Sequence, residues 1–312
     1  MIAFTTKQTV ACISGVNVGG QPGENPTCII PSIFYDHHKI VSDPIKGEFD
    51  KQQAEALLNR AEELSEKTGC PLFVDVMATT ADALIKYADF VSELVSGPFL
   101  VDSVSRDAKL QAVKRAKEAG LTEKIIYNSI SFLSTPQELQ ALREFGVRSA
   151  VVLAFDPKNP SGNRETILSG IGDQPGLLAV AQGAGIENIL VDTAVLQVPS
   201  LGVAGKAIFA VKERFGLPAG CAPANAVSIW KKLKEGEFGP EGRKVCLAAS
   251  TLYTQMMGAN FVIAGPIEYA EAVFPACAMA DAIIAAEAQK MGIKISANHP
   301  LYDFLNHVGI YL

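Results

Sequence analysis

Histidine is scarce in this chain, four residues in 312, and no His or Cys pair stands at zinc-ligand spacing, so no metal site is expected. The six cysteines (Cys12, Cys28, Cys70, Cys221, Cys246 and Cys277) lie far apart without a CxxC pair. They are expected as reduced, small, buried side chains and not as a disulfide framework. Basic charge is not in excess either: 27 Lys and Arg against 33 Asp and Glu give a formal net charge of −6. Spread along the chain, that balance leaves no footprint for nucleic acid or an anionic membrane surface. Apolar residues make up 48 % of the sequence, yet Asp, Glu, Gln or Lys interrupts every apolar run before the roughly 18 residues that a bilayer requires, and no membrane insertion is expected. The first residues, Met1-Ile2-Ala3-Phe4-Thr5-Thr6-Lys7, lack a basic and then apolar leader, which points to a cytoplasmic protein. No linker rich in Pro, Gly or Ser divides the chain.

What the chain does have is eight short apolar runs, at 27–34, 72–77, 99–102, 125–129, 150–155, 189–193, 219–225 and 261–265, alternating with segments of helical period. That is the pattern of βα units on a parallel sheet. Asp50 is placed to cap a helix that carries Ala54, Leu57, Leu58, Ala61 and Leu64 on one face and stops at Gly69. Thr135-Pro136-Gln137-Glu138 is a capping box with proline at the first helical position, and Gly146 ends that helix. Eight such units favour an α/β fold of the closed (β/α)8 TIM-barrel type over an open doubly wound sheet. Residues 1–20 fall outside the repeat. Two short apolar segments around Gly15 read as a β-hairpin extension that plugs the barrel bottom, with the barrel itself in 21–312.

The informative feature is what ends the strands. Asp75, Asp102, Asn128, Asp156, Asp192 and Asn225 each put a carboxylate or carboxamide where an apolar run stops, and in a barrel those positions share one rim. One such residue is ordinarily a helix cap or Asx turn. Six in register imply a ligand or a cation, because partly buried carboxylates need partners. Asp and Asn with few Lys, Arg or His suit a flat, uncharged heterocycle with an amidine-like edge, as in a pterin, whose 2-amino group and N3–H donate in parallel to one carboxylate.

Several motifs resemble one family over essentially the whole chain. They are Gly19-Gly20-Gln21-Pro22-Gly23-Glu24, Ser32-Ile33-Phe34-Tyr35, Tyr127-Asn128-Ser129-Ile130, Leu153-Ala154-Phe155-Asp156-Pro157, Gly265-Pro266-Ile267-Glu268 and His299-Pro300-Leu301-Tyr302. They look like the MtrH subunit of tetrahydromethanopterin S-methyltransferase and its bacterial relatives, the methylcobalamin:tetrahydrofolate methyltransferases. The resemblance implies a pterin-binding barrel, often dimeric, that exchanges a methyl group with methylcobalamin carried by a separate corrinoid protein. It assigns Asp102, Asn128 and Asp192 to the pterin ring and Asn225, at the end of the seventh strand, to N5 as the catalytic residue. More distant relatives carry Gly-Glu-Arg after strand one, where this chain has Pro31-Ser32-Ile33-Phe34-Tyr35, and Asp75 is a candidate substitute on the pterin. Tetrahydrofolate is the expected substrate; the alternatives are a tetrahydromethanopterin-specific MtrH subunit of the coenzyme M methyltransferase complex and a non-catalytic pterin-binding subunit.

Other features carry less. Asp36-His37-His38-Lys39 imitates the lower-ligand motif of corrinoid proteins but has Val41 where a Gly belongs, so a partner is expected to bring the cobalt. Gly202-Val203-Ala204-Gly205-Lys206 imitates a phosphate loop without its spacing and is expected at a helix start. A pterin-condensing enzyme like dihydropteroate synthase would require a Lys on strand seven and an Arg-x-His on strand eight, neither of which is present.

Overall fold

In the computed structural model, which describes residues 3–160, 163–172 and 174–308, eight parallel strands close into a barrel. They are β1 (Cys28–Ile33), β2 (Val74–Met77), β3 (Phe99–Asp102), β4 (Ile125–Ile130), β5 (Ser149–Leu153), β6 (Asn188–Asp192), β7 (Ala219–Cys221) and β8 (Phe261–Pro266). Each pairs with the next, and β8 closes on β1. The helices are α1 (Lys51–Thr68), α2 (Ala81–Leu94), α3 (Arg106–Glu118), α4 (Pro136–Phe145), α5 (Arg164–Ser169), α6 (Leu177–Gly183), α7 (Val198–Phe215), α8 (Pro223–Ile229), α9 (Lys231–Lys234), α10 (Gly242–Met256), α11 (Ala270–Lys290) and α12 (Pro300–Val308).

The punctuation read from sequence is where the chain turns. The Asp50 side chain accepts from the Gln53 N–H, and Gly69 closes α1 in the left-handed region. Thr135 and Glu138 form the reciprocal capping box of α4, closed by Gly146. The phosphate-loop look-alike lies inside α7, past its start at Val198. Helix α11 with the turn before it is long and apolar enough to cross a membrane, but 56 % of its 18-residue apolar stretch is buried within the fold.

Side chains alternate faces along each strand, so every second residue points into the barrel. Ile30, Phe73, Leu100, Ile126, Val151, Leu190, Phe261 and Ile263 pack there as one cluster, while Ile29, Val74, Val101, Tyr127, Val152 and Val191 face the helices. The hairpin, Val10–Ile13 with Val16–Gly19, delivers Ala11, Ile13 and Val18 to the inner cluster. It sits at the N-terminal end of the strands, since the Thr9 N–H donates to the Gly216 carbonyl just before β7. The floor is therefore apolar and sealed. Burying a Val, Leu, Ile or Phe side chain contributes about 1.5–3 kcal/mol, and the floor holds a full ring of them.

Four cysteines, Cys28, Cys70, Cys221 and Cys277, are buried as expected; Cys12, on the hairpin's outer face, is exposed.

Candidate functional site

Two residues above the floor the alternation changes chemistry. Ser32 follows Ile30, Asp75 follows Phe73, Asp102 follows Leu100, Asn128 follows Ile126 and Asp192 follows Leu190, so these polar side chains occupy the next inward positions toward the C-terminal rim. Following the pairing register around the barrel gives two tiers of four from alternate strands, the arrangement expected of a tilted eight-stranded barrel. Asp75, Asn128, Asp192 and Ile263 form one, from the even strands; Ser32, Asp102, Leu153 and Ala222 form the next, from the odd strands. Four residues read from the sequence thus meet in one mouth.

Burial dominates the electrostatics there. Asp75 is 2 % exposed; Ser32 Oγ donates to its Oδ2 at 2.7 Å, while Oδ1 is shut off from the surface and has no hydrogen bond among the described residues. Desolvation pushes its pKa up to about 6 against the pull of Ser32 and of the nearby Asn128 carboxamide. Burial also lifts Asp102 well above the usual carboxylate range, and the Asp75 charge adds to it; Lys109 and the Ser103 N–H work the other way. Asp192 is raised to about 6 by burial, eased by the Ala194 N–H, which donates to Oδ1 at 2.8 Å, and by Arg164. Three desolvated carboxyls share one mouth with fewer donors than they can use.

Two buried cations stand behind this ring, and sequence reading missed both. Lys109 of α3 lies with Nζ 3.4 Å from the Ser129 carbonyl and 4.5 Å above the Tyr127 ring, whose hydroxyl donates to Glu138 at 2.6 Å. Arg164 of α5 donates from Nε to the Thr193 carbonyl at 3.1 Å. The expectation of a mouth with few cations holds for its lining but not for its backing. Lys109 had a visible signal: it occupies the stripe of α3 that also carries Ala108, Ala112, Val113 and Ala116.

Asn225 requires a correction. Strand seven ends at Cys221, not at Asn225, because Pro223 opens α8 and puts Asn225 in its first turn. The side chain is exposed, with Nδ2 at a long 3.5 Å from the Val195 carbonyl, so its amide is nearly free. Gly265, at φ 73°, keeps that turn close: a Cβ there would lie 2.5 Å from the Ala224 Cβ. Asp156 also departs from expectation. It follows the end of β5 and its Oδ1 accepts from the Lys158 N–H at 2.8 Å, an ordinary Asx turn outside the two tiers.

Between β1 and β8 the rim is tied by Glu268. Tyr35 donates to its Oε1 at 2.8 Å, His38 Nε2 lies 3.1 Å from the same oxygen, and His38 Nδ1 accepts from the Phe34 N–H at 3.0 Å. His38 Nδ1 is thus hydrogen-bonded within the chain, while Nε2 is shut off against the Glu268 carboxylate without a hydrogen bond among the described residues; His38 is 2 % exposed. Phe34, Tyr35, His38, Met77 and Tyr87 line a cavity of about 330 Å3 that reaches Asp102, a volume within the range of small-molecule sites. A larger cavity, about 810 Å3, opens between the hairpin, the end of α1 and the start of α12, away from the carboxylates.

A sequence model described as the MtrH subunit of tetrahydromethanopterin S-methyltransferase matches residues 6–296. The corresponding subunit of that enzyme from Methanococcus maripaludis is 41 % identical, over 96 % of this chain and 99 % of its own length. That of Methanothermobacter thermautotrophicus is 39 % identical over 98 % and 100 %. Among solved structures, dihydropteroate synthase from Xanthomonas albilineans in complex with 7,8-dihydropteroate superposes with a TM-score of 0.61 at 16 % identity, covering 88 % of this chain and 98 % of that one. The Yersinia pestis enzyme gives 0.59 at 15 %, over 89 % and 100 %, and at such identities the likeness is one of fold. Matched from end to end at about 40 % identity, the chain belongs to the MtrH family of tetrahydromethanopterin S-methyltransferase.

Proposed function

We propose that the chain is the pterin-handling subunit of a corrinoid-dependent methyltransferase, transferring a methyl group between a corrinoid on a partner protein and N5 of a tetrahydropterin, in the cytoplasm. The observation that carries this reading is the pair of polar tiers above an apolar floor, where Asp102, Asn128 and Asp192 converge with Asp75, whose Oδ1 has no hydrogen bond among the described residues. An amidine edge supplies those donors. Asp102 and Asp192 accept from the ring, Asn128 serves a further edge, and each hydrogen bond to a charged group contributes about 1.5–3 kcal/mol. Asp75, behind Asn128, completes the tier.

Asn225 is the residue for the reaction itself. When methyl leaves the pterin, the N5–CH3 bond breaks, N5 keeps the electron pair and takes up a proton; in reverse, N5 attacks methyl and sheds one. A carboxamide held loosely at N5 strengthens its hydrogen bond as charge shifts on that nitrogen. The corrinoid, when bound, supplies the cobalt that gives or accepts methyl. With His38 buried, its Nδ1 bonded to the Phe34 N–H and its Nε2 facing the Glu268 carboxylate, this chain leaves that group to the partner. Exposed Val104, Phe132, Leu133 and Leu196, on the segments after β3, β4 and β6, offer the partner an apolar rim. A second copy is proposed to pair on the neighbouring helices α10 and α11, where Leu252, Tyr253, Met256, Met279 and Ile283 are exposed.

The relatives' names favour tetrahydromethanopterin over the tetrahydrofolate expected from sequence. Incubating the protein with methylcobalamin and either pterin, and following the corrinoid spectrum, tests the proposal. Methyl should appear on N5, faster with tetrahydromethanopterin. Stabilisation by pterin without turnover would instead identify a binding subunit, and neither effect would reject the pterin reading.

A further inference from the structure

Asp75 differs from the other two carboxyls of the mouth. Asp102 and Asp192 have a buried cation behind them, Lys109 and Arg164, whereas Asp75 has none among the described residues. It is also the most enclosed, at 2 % exposure against 8 % for Asp192 and a half-buried Asp102. A bound ring would meet Asn128 and the tier above before it met Asp75. Its Oδ2 is occupied by the Ser32 hydroxyl at 2.7 Å, so the carboxyl plane is fixed and only Oδ1 is left over.

The neighbours of that oxygen are few. Its own tier holds Asn128, Asp192 and Ile263, of which only Asn128 carries side-chain N–H groups. The tier above adds Ser32, already engaged, and Asp102, which donates only when protonated. We infer that Asp75 is a positioning residue: as a carboxylate it holds the Asn128 side-chain N–H2 toward its Oδ1 and so turns the Asn128 carbonyl oxygen toward the ligand. A carboxamide has a donor end and an acceptor end, and an apolar neighbour would leave the choice open. With Asp75 charged, the mouth presents an acceptor at Asn128; with Asp75 protonated, its hydroxyl donates to that same oxygen and the amide turns over, presenting N–H groups to a ring that needs acceptors.

The sign of the pH effect follows. Asp75, raised by burial to about 6, is ionised above that value, so the acceptor-out arrangement is present at neutral pH and lost as pH falls through about 6. Asp102 and Asp192 face the same mouth, with Lys109 and Arg164 behind them, and Asp192 titrates in the same range. Wild-type affinity should therefore fall in acid with more than one proton, and removing the Asp75 charge should take away one of them.

The inference rests on the pterin reading, and titration of tetrahydropterin onto the apo protein separates the two. If wild type binds neither pterin at any pH, the pterin reading fails. Given binding, D75N, whose own amide oxygen can accept from Asn128, should keep neutral-pH affinity within about threefold and lose one proton from the acid step, whereas D75L should cost about tenfold or more. The decisive arm is a cycle with N128A: D75L added to N128A should cost almost nothing further, because its effect passes through Asn128. Additive losses, or a D75N profile that keeps the full acid step, overturn the inference. Should D75L fail to fold, as melting would reveal, the D75N pH profile decides alone.

Discussion

Lys212 and Asp75 are both buried ionisable side chains, at opposite ends of one barrel, and they are treated differently. Lys212, at the bottom, donates from Nζ to the Gly20 carbonyl at 2.9 Å and to Asn260 Oδ1 at 2.6 Å, and lies 5.3 Å from the Phe4 ring centroid. It ties the hairpin to α7 and to the entrance of β8. Asp75, at the mouth, has one oxygen bonded and the other without a hydrogen bond among the described residues. Where polar groups satisfy one another the chain is building structure; where they are left short, something else is meant to complete them. Desolvation moves both groups, Lys212 down to about 7 and Asp75 up to about 6, so the size of a shift does not separate the two roles; the partners do.

The sharpest way to break this contrast is inside the mouth. Asn225→Ala is expected to lower turnover by a factor on the order of 10²–10³, the usual cost of one transition-state donor, with pterin affinity nearly unchanged. Asp192→Ala removes a contact proposed to hold the ring throughout binding and should weaken affinity and kcat/KM together. Single-turnover kinetics beside equilibrium titration checks both. Equal losses of affinity and turnover in the two variants would remove the distinction between gripping the ring and assisting N5.

At the floor the expectation reverses. Lys212→Met leaves the Gly20 carbonyl and Asn260 without their donor, at about 1–3 kcal/mol for each orphaned group, and should lower the melting temperature while pterin affinity stays as in wild type. Loss of pterin binding in a variant that still melts cooperatively would mean that the hairpin end and the mouth are not independent.

How much of this was legible depended on the range of the interaction that fixes each residue. The caps of α1 and α4, the hairpin, the eight strands and the alternation that points Asp75, Asp102, Asn128 and Asp192 inward all follow from neighbours within a few positions. The seventh strand extends less far than expected because 219–226 is a run of small residues compatible with strand or helix, and only the role of Pro223 as a helix opener separates the two. Ser32, Lys109 and Arg164 escaped notice because their partners lie on other strands or helices. Ser32 meets Asp75 across 43 residues of chain, and Arg164 reaches the carbonyl of Thr193, 29 residues away. Such pairings exist only once neighbouring strands are in register and the helices have packed against them.

A further buried carboxyl, outside the mouth, shows the same contrast at its smallest expected effect. Asp281 of α11 is also raised to about 6 by burial, yet it is saturated: the Thr27 N–H and hydroxyl both donate at 2.7 Å and Gln255 Nε2 at 2.9 Å. Because its folded pKa lies above the unfolded value, the native state holds the extra proton between about 4 and 6. The stability tied to that proton is full below about 4 and is lost as pH rises through about 6, at no more than about 1.4 kcal/mol per pH unit for one group. Asp281→Asn should flatten that part of the stability curve, measured by denaturant unfolding at several pH values, and leave pterin binding unchanged at every pH. D75N is expected to change the binding profile instead. If both variants altered the same profile, the two ends of the barrel would share one electrostatic network, and partner saturation would no longer tell scaffold from site.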